Sequence, residues 1–267
     1  MEPISSWTAT SQYRLEKGTL LKEVLLKEYT LKIISSEFCL WIVAIWPSGA
    51  QTAFRAAYAA NDHLEVANVK GDGPLEIILN GATIRIKVTV SLPESEEAVF
   101  RYTTTIMPVF DLLIPYWPRD IMPLFNDGRT QDTKGTIHAA QVGTRSGLLF
   151  FTTEEPQCGS VFYFQDLTSL NEYCQETKTS AGDLVGGAWP EIGMKLPVTS
   201  VEKPLRAGQE YTISDAFVLL SAVVPEDNYQ MSQQFMNYLA TVYLLIQRPD
   251  TQYHDWPDIL SKGLSGL

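Results

Sequence analysis

Between Ile84 and Ser91 apolar and polar residues alternate: Ile84, Ile86, Val88 and Val90 interleave with Arg85, Lys87, Thr89 and Ser91. A period of two predicts an antiparallel strand with one face in a core and one in water. Most of the chain up to Val223 carries strand character of this kind. Thr19–Leu26, Tyr29–Ser35, Phe38–Trp46, His63–Val69, Leu75–Leu79, Ala82–Leu92 and Val99–Met107 are rich in β-branched, aromatic and leucine residues. Polar, glycine or proline punctuation separates them. The alanines of Gln51–Ala60 would also permit a helix, but the turn signals Pro47-Ser48-Gly49 and Asn61-Asp62 on either side favour a strand. Asn80-Gly81 predicts a hairpin.

The pattern breaks at Pro108. From there to Gly135 the spacing predicts one long loop carrying Pro108, Pro115, Pro118 and Pro123 and the polar run Asn126 to Asp132. Strands return at Thr136–Val142 and Leu148–Thr153, joined by Arg145-Ser146-Gly147, and again at Ser160–Gln165 and Gln209–Val223. Asp166–Glu176 reads as a short helix with Asp166 or Ser169 as N-cap. Gly182–Gly193 is expected to be irregular. The period then changes to that of a helix over Asp227–Gln247: Phe235, Leu239, Val242 and Ile246 fall on one face, widened by Met236, Tyr243 and Leu244, with Pro249 as the stop. A second short helix begins at Asp255-Trp256-Pro257-Asp258. The fold class expected is mainly β, a large antiparallel β-sandwich over 1–225, with a C-terminal amphipathic helix and linker-like tail over 226–267.

Composition narrows the function classes. The 267 residues carry a formal charge of −11, which disfavours phosphate-backbone binding and hence a nucleic-acid partner. The longest apolar run, Phe38 to Trp46, is too short to span a bilayer. The N-terminus, Met1-Glu2-Pro3, lacks the basic and apolar regions of a signal peptide, so the expected location is cytoplasmic, or secreted or periplasmic after loss of a leader. Three cysteines do not describe a disulfide framework. Free buried thiols are expected, with a Cys158–Cys174 bridge as the alternative.

No nucleotide, serine-hydrolase or zinc-protease motif is present, and neither cofactor nor metal is expected. Candidate chemistry gathers instead on two loops in which proline locks an aromatic beside a charge: Pro115-Tyr116-Trp117-Pro118-Arg119-Asp120 and Trp189-Pro190-Glu191. Such loops suit a flat polar ligand such as a sugar ring; the alternative is that their aromatics plug the end of a core. His138 lies on a strand, expected to share a face with Ala140 while Gln141 points the other way. Substrate-binding candidates are Tyr116, Trp117, Arg119, Gln141, Arg145 and Trp189. Proton-transfer candidates are His138, Asp120 and Glu191. Asp111, Asp183 and Asp215 are further carboxylates in loop-like or aromatic settings.

The order of elements, a dozen strands from Trp7 to Val223 and then the helix Asp227–Gln247, resembles the N-terminal galactose-mutarotase-like supersandwich of glycoside hydrolases and phosphorylases that carry an (α/α)6 barrel. The resemblance rests on architecture and covers nearly the whole chain. It implies a carbohydrate-associated, non-catalytic module, because in that family the catalytic acid comes from the barrel. The aromatic loop would then face a helical barrel domain and help form its sugar site. Two other readings stand beside it. One is a stand-alone mutarotase- or epimerase-like enzyme using His138 with Asp120 or Glu191, and Arg119 to orient the sugar. The other is an interaction module whose helix packs on a partner or a second copy.

Overall fold

The computed structural model describes residues 18–59, 62–125, 127, 132–141, 143–247 and 253–265. The expectations placed on Met1–Pro3, Trp7, the Asn61 turn signal, most of the run after Phe125, Val142 and the Pro249 stop lie outside these residues. Two antiparallel sheets face each other. The first, of seven strands, runs β1 (Thr19–Leu26), β2 (Tyr29–Ser36), β3 (Cys39–Ile45), β4 (Gln51–Tyr58), β9 (Ile121–Leu124), β14 (Glu191–Met194) and β13 (Val185–Ala188) in spatial order. The second, of eight, runs β10 (Lys134–Gln141), β11 (Ser146–Glu155), β12 (Gln157–Asp166), β15 (Tyr211–Ser221), β8 (Ala98–Pro108), β7 (Ile84–Ser91), β6 (Leu75–Asn80) and β5 (Glu65–Lys70). The architecture is the mainly β, two-sheet sandwich that the alternating pattern predicts.

Between the sheets lies a core that includes Trp41, Phe54, Phe100, Tyr102, Phe151 and Tyr163. The outer face of the eight-stranded sheet holds a second cluster, Leu148, Phe150, Phe162, Phe164, Phe217 and their neighbours. That explains why β11, β12 and β15 read as apolar runs rather than alternations: both of their faces are covered. The cover is helix α2 (Asn228–Leu245), which starts at Asp227, whose carboxylate caps Gln230 N at 2.8 Å. Its inward stripe is centred on Tyr238 and Val242, with Phe235, Leu239 and Ile246 packing beside them. Met236, Tyr243 and Leu244, expected to widen this stripe, point outward at 59, 56 and 67% exposure, because at 3.6 residues per turn they fall roughly 100° or more around the helix from Tyr238 and Val242.

Asp166 caps a short 3-10 helix (Leu167–Leu170) that leads into α1 (Asn171–Thr177). Helix α3 (Trp256–Ser265) buries none of its residues. Among the described residues no helix is long and apolar enough to cross a membrane.

Two stretches read as irregular are strands. Ile121–Leu124, inside the supposed long loop, is fully buried and pairs with β4 in the register Thr52↔Pro123. Pro123 is tolerated because β14 pairs with β9 only at Ile121, so the edge that lacks a donor is open there. Gly182–Gly193 contains the β13–β14 hairpin, whose glycines hide its strand character. Asn80-Gly81 does join a hairpin, but the loop is longer than two residues: Asn80 pairs with Arg85, and the Asp62 carboxylate grips it by accepting from Ala82 N at 2.8 Å and from Thr83 N and Oγ1 at 2.7 and 2.6 Å. Cys39, Cys158 and Cys174 form no disulfide, so the Cys158–Cys174 bridge is not made. Burial pushes the Cys158 thiol up to about 11, which makes it a poor nucleophile.

Candidate functional site

The Pro-rich loop delivers Asp120 into the core, immediately before β9. Its Oδ2 accepts from the Tyr102 and Tyr163 hydroxyls at 2.9 and 2.6 Å, and its Oδ1 from Met194 N at 2.7 Å. The network continues along the eight-stranded sheet, from β12 to β15. Gln165 Nε2 donates to Tyr163 Oη at 2.6 Å and to Ser214 Oγ at 2.7 Å, and Gln165 Oε1 accepts from Asp215 N at 2.9 Å. Burial pushes the Asp120 carboxyl above its ordinary range, against the pull of its donors, and lifts both tyrosine hydroxyls. Gly193, at φ +101°, makes room for this carboxylate: a Cβ there would lie 2.1 Å from Asp120 Oδ1.

Arg119 and Glu191 gather beside Asp120. Arg119 Nη1 donates to the carbonyls of Gly193 and Leu184 at 2.6 and 3.2 Å, which ties the loop to β14. Burial lowers its guanidinium, while Asp120 and Glu191 oppose that shift. Beneath it lies Arg55, buried over the Trp41 ring at 4.7 Å and donating to the Arg119 carbonyl at 2.8 Å. These charges are committed to holding the loop.

The two proline-locked tryptophans are turned inward. Trp117 is buried edge-on against Tyr58, with ring centroids 5.6 Å apart. Trp189 donates from Nε1 to the Thr133 carbonyl at 2.8 Å and meets Phe151 edge-on at 6.0 Å. Tyr116 stays half-exposed at the rim of a hollow of about 240 Å3. Trp117 and Tyr58 line that hollow, and Asp62 and Thr83 stand at its polar side. Burial pushes the Asp62 carboxyl up, but its hydrogen bonds from Thr83 and Ala82 prevail and hold it below the usual carboxylate range.

His138 lies elsewhere. A bulge between Ile137 and Ala139 makes it the extra residue of β10. Its ring meets Phe150 at 5.7 Å, and its Nε2 pairs with Thr152 Oγ1 at 2.8 Å. Phe150 belongs to the outer cluster under α2, whereas Phe151, the partner of Trp189, belongs to the inner core. His138 and Trp189 therefore sit on opposite faces of the same sheet margin. The bulge also breaks the expected alternation: Ala139, not Ala140, shares the outer face with His138. Burial lowers the His138 imidazole, with Glu154 pulling the other way. An NMR titration should place its midpoint below about 6.5, leaving the ring neutral at pH 7. Because the folded value is the lower one, its contribution to stability is present above that pH and is lost as pH falls through the folded value. A midpoint at or above the free value would contradict the buried placement.

Gln141 and Arg145 stand exposed where β10 turns into β11, and there the Arg145 carbonyl accepts from Leu167 N at 3.0 Å. Of the remaining carboxylates, Asp111 accepts from Ala207 N at 3.0 Å, and Asp183 is exposed at φ +62°. Asp120, Arg119 and Glu191 are thus brought together, Tyr116 and Trp117 form a neighbouring hollow, and His138, Gln141 and Arg145 lie apart from both.

One pair escaped the sequence reading. Arg101 grips Asp215 through two parallel bonds, Nε to Oδ1 at 2.7 Å and Nη2 to Oδ2 at 2.8 Å, and lies over the Phe217 ring at 4.9 Å. The signal available was Asp215 itself, a carboxylate inside the apolar strand Ile213-Ser214-Asp215-Ala216-Phe217, which needs a partner. With Asp166, Thr168, Ser169 and Gln247 the pair lines a hollow of about 420 Å3. Among the described residues no cluster of three histidine, cysteine or acidic side chains is placed to hold a metal. No family model, no curated protein and no solved structure matches this chain.

Proposed function

We propose that the chain is a carbohydrate-associated β-sandwich module without a complete catalytic set of its own, and that it seats one sugar ring in the hollow beside Tyr116. The observation that carries this reading is the make-up of that hollow. Tyr116 offers a half-exposed aromatic wall, Pro115 and Pro118 restrict the backbone around it, and Trp117 and Tyr58 form an apolar lining. Asp62, on the polar side of the hollow, supplies a carboxylate kept ionised by its hydrogen bonds from Ala82 and Thr83, the acceptor that would meet a sugar hydroxyl.

The stand-alone mutarotase-like alternative needs His138 and Asp120 or Glu191 around one substrate. The separation of His138 from both favours the non-catalytic reading, as does the commitment of Asp120 to three internal donors. The partner this reading calls for is a helical domain. Trp256, Ile259, Leu260 and Leu264 make an exposed apolar stripe on α3 at helical spacing, the form that packs ridge-into-groove against another helix.

Ligand-observed NMR with hexoses and short glucans tests the sugar site. The expected result is saturable binding that Tyr116→Ala abolishes and that the double variant His138→Ala, Glu191→Ala leaves intact. No binding by the unaltered protein across the panel, or equal binding by Tyr116→Ala, would remove the reading.

A further inference from the structure

A third hollow, of about 490 Å3, opens where β1 and β2 of one sheet meet the ends of β6 and β7 of the other. Its lining is apolar over most of its extent: Val24, Leu31 and Ile33 on one side, Leu75 and Val90 on the other, and Leu245 from the last turn of α2. Two cations also line it, Lys22 from β1 and Arg101 from β8 of the other sheet. That volume lies within the range of small-molecule sites, and an apolar cleft with a few convergent polar groups is the usual composition of one.

The two cations differ in how they are held. Arg101 is fixed by its paired bonds to Asp215, by the Phe217 ring beneath it, and by Ser169 Oγ donating to Asp215 at 3.0 Å. Two of its five N–H donors are spent on Asp215; the other three have no partner among the described residues. A guanidinium held in one orientation loses little freedom on meeting a ligand. Among the described residues Lys22 pairs only with Asp72, at 3.5 Å, and the Asp72 side chain is fully exposed, so this bond competes poorly with an anion brought to the rim.

We propose that this hollow binds an amphipathic carboxylate, an aliphatic chain of medium length with the hydrocarbon among Val24, Leu31, Ile33 and Leu75 and the head group at Lys22 and Arg101. The proposal is independent of the sugar site, which lies on other elements. Calorimetric titration of the full chain with octanoate and with octanol tests it. Octanoate is expected to bind one to one and more tightly than octanol. Lys22→Met should weaken octanoate about tenfold, the equivalent of one charged contact, and leave octanol unchanged. Val24→Trp, which fills the cavity from the half-buried face of an edge strand, should abolish both; Leu92→Trp, at a position 40% exposed, does the same from the opposite rim if Val24→Trp lowers the melting temperature. Absence of saturable octanoate binding by the unaltered protein overturns the proposal. So does binding that survives both filling variants, which would place the ligand on the exposed apolar faces of α2 and α3.

Discussion

Asp120→Ala should cost about 3–5 kcal/mol of folding stability, the range for removing one member of a buried charged network. Three donors converge on this carboxylate from three strands: Tyr102 of β8, Tyr163 of β12 and Met194 of β14. The first two belong to one sheet and the third to the other, so the side chain ties the two layers together. Alanine leaves two phenolic hydroxyls and an amide without their acceptor in a fully buried site, and each such loss is costly. Tyr102→Phe and Tyr163→Phe remove the donor as well as the bond and should each cost less. In a double-mutant cycle either should couple to Asp120→Ala, because the two side chains share one interaction. The pH dependence carries a sign. Burial raises the folded-state value of Asp120 above the unfolded one, so its stabilising contribution is full below the unfolded value and is lost as pH rises through the folded value. Asp120→Asn should flatten that part of the profile. Urea denaturation between pH 3 and 8 reads both effects, and a cost for Asp120→Ala below about 1 kcal/mol would show that the network does not hold the sheets.

What the sequence disclosed followed from how local each signal was. The alternation of Ile84 to Ser91 became a strand buried at each isoleucine and valine, because period two in one segment is enough to define its wet and dry faces. The helix at Asp227 was legible from its period and its cap. β9 was not, since Pro123 contradicts a central strand until one knows that β14 leaves its edge open. The β13–β14 hairpin was obscured by Gly186, Gly187 and Gly193, all at positive φ; at Gly187 and Gly193 the close approach of Arg119 and Asp120 demands glycine rather than a strand former.

The site was legible in part for the same reason. Proline beside an aromatic marks a fixed loop, and both such loops are indeed fixed, but the local pattern does not say which way the ring turns. Trp117 and Trp189 turn inward to Tyr58 and Phe151. The opposite placement of His138 depends on one bulge residue, which reverses the face of everything that follows it in the strand. Arg101 and Asp215 are 114 positions apart and meet only because β8 and β15 are neighbours.

Tyr238→Ala in α2 is expected to cost about 3–5 kcal/mol, as for other buried aromatics cut back to alanine. Its ring packs against Phe150 and Phe162 with centroids 6.2 and 5.9 Å away, and it is 2% exposed. Beside it, Gln234 bridges the sheet by accepting from Ser160 Oγ at 3.0 Å and donating to Ser221 Oγ at 3.2 Å, which sets the helix in register on β12 and β15. Met236→Ala, on the outward stripe of the same helix at 59% exposure, should change stability by less than about 0.5 kcal/mol. The contrast separates loss of packing from loss of helix propensity, since both variants introduce alanine into the same helix. Hydrogen exchange should show the amides of β12 opening more readily in Tyr238→Ala and unchanged in Met236→Ala. Removing the chain after Pro225 goes further: it uncovers Phe150, Phe162 and Phe217 together, an apolar patch that a soluble sheet does not carry alone, and aggregation should follow. Equal, small costs for Tyr238→Ala and Met236→Ala would mean that α2 rests loosely on the sheet. A large difference makes the junction at 225–226 a change of secondary structure within one folding unit, because the outer face of the eight-stranded sheet is completed only by the helix that follows it.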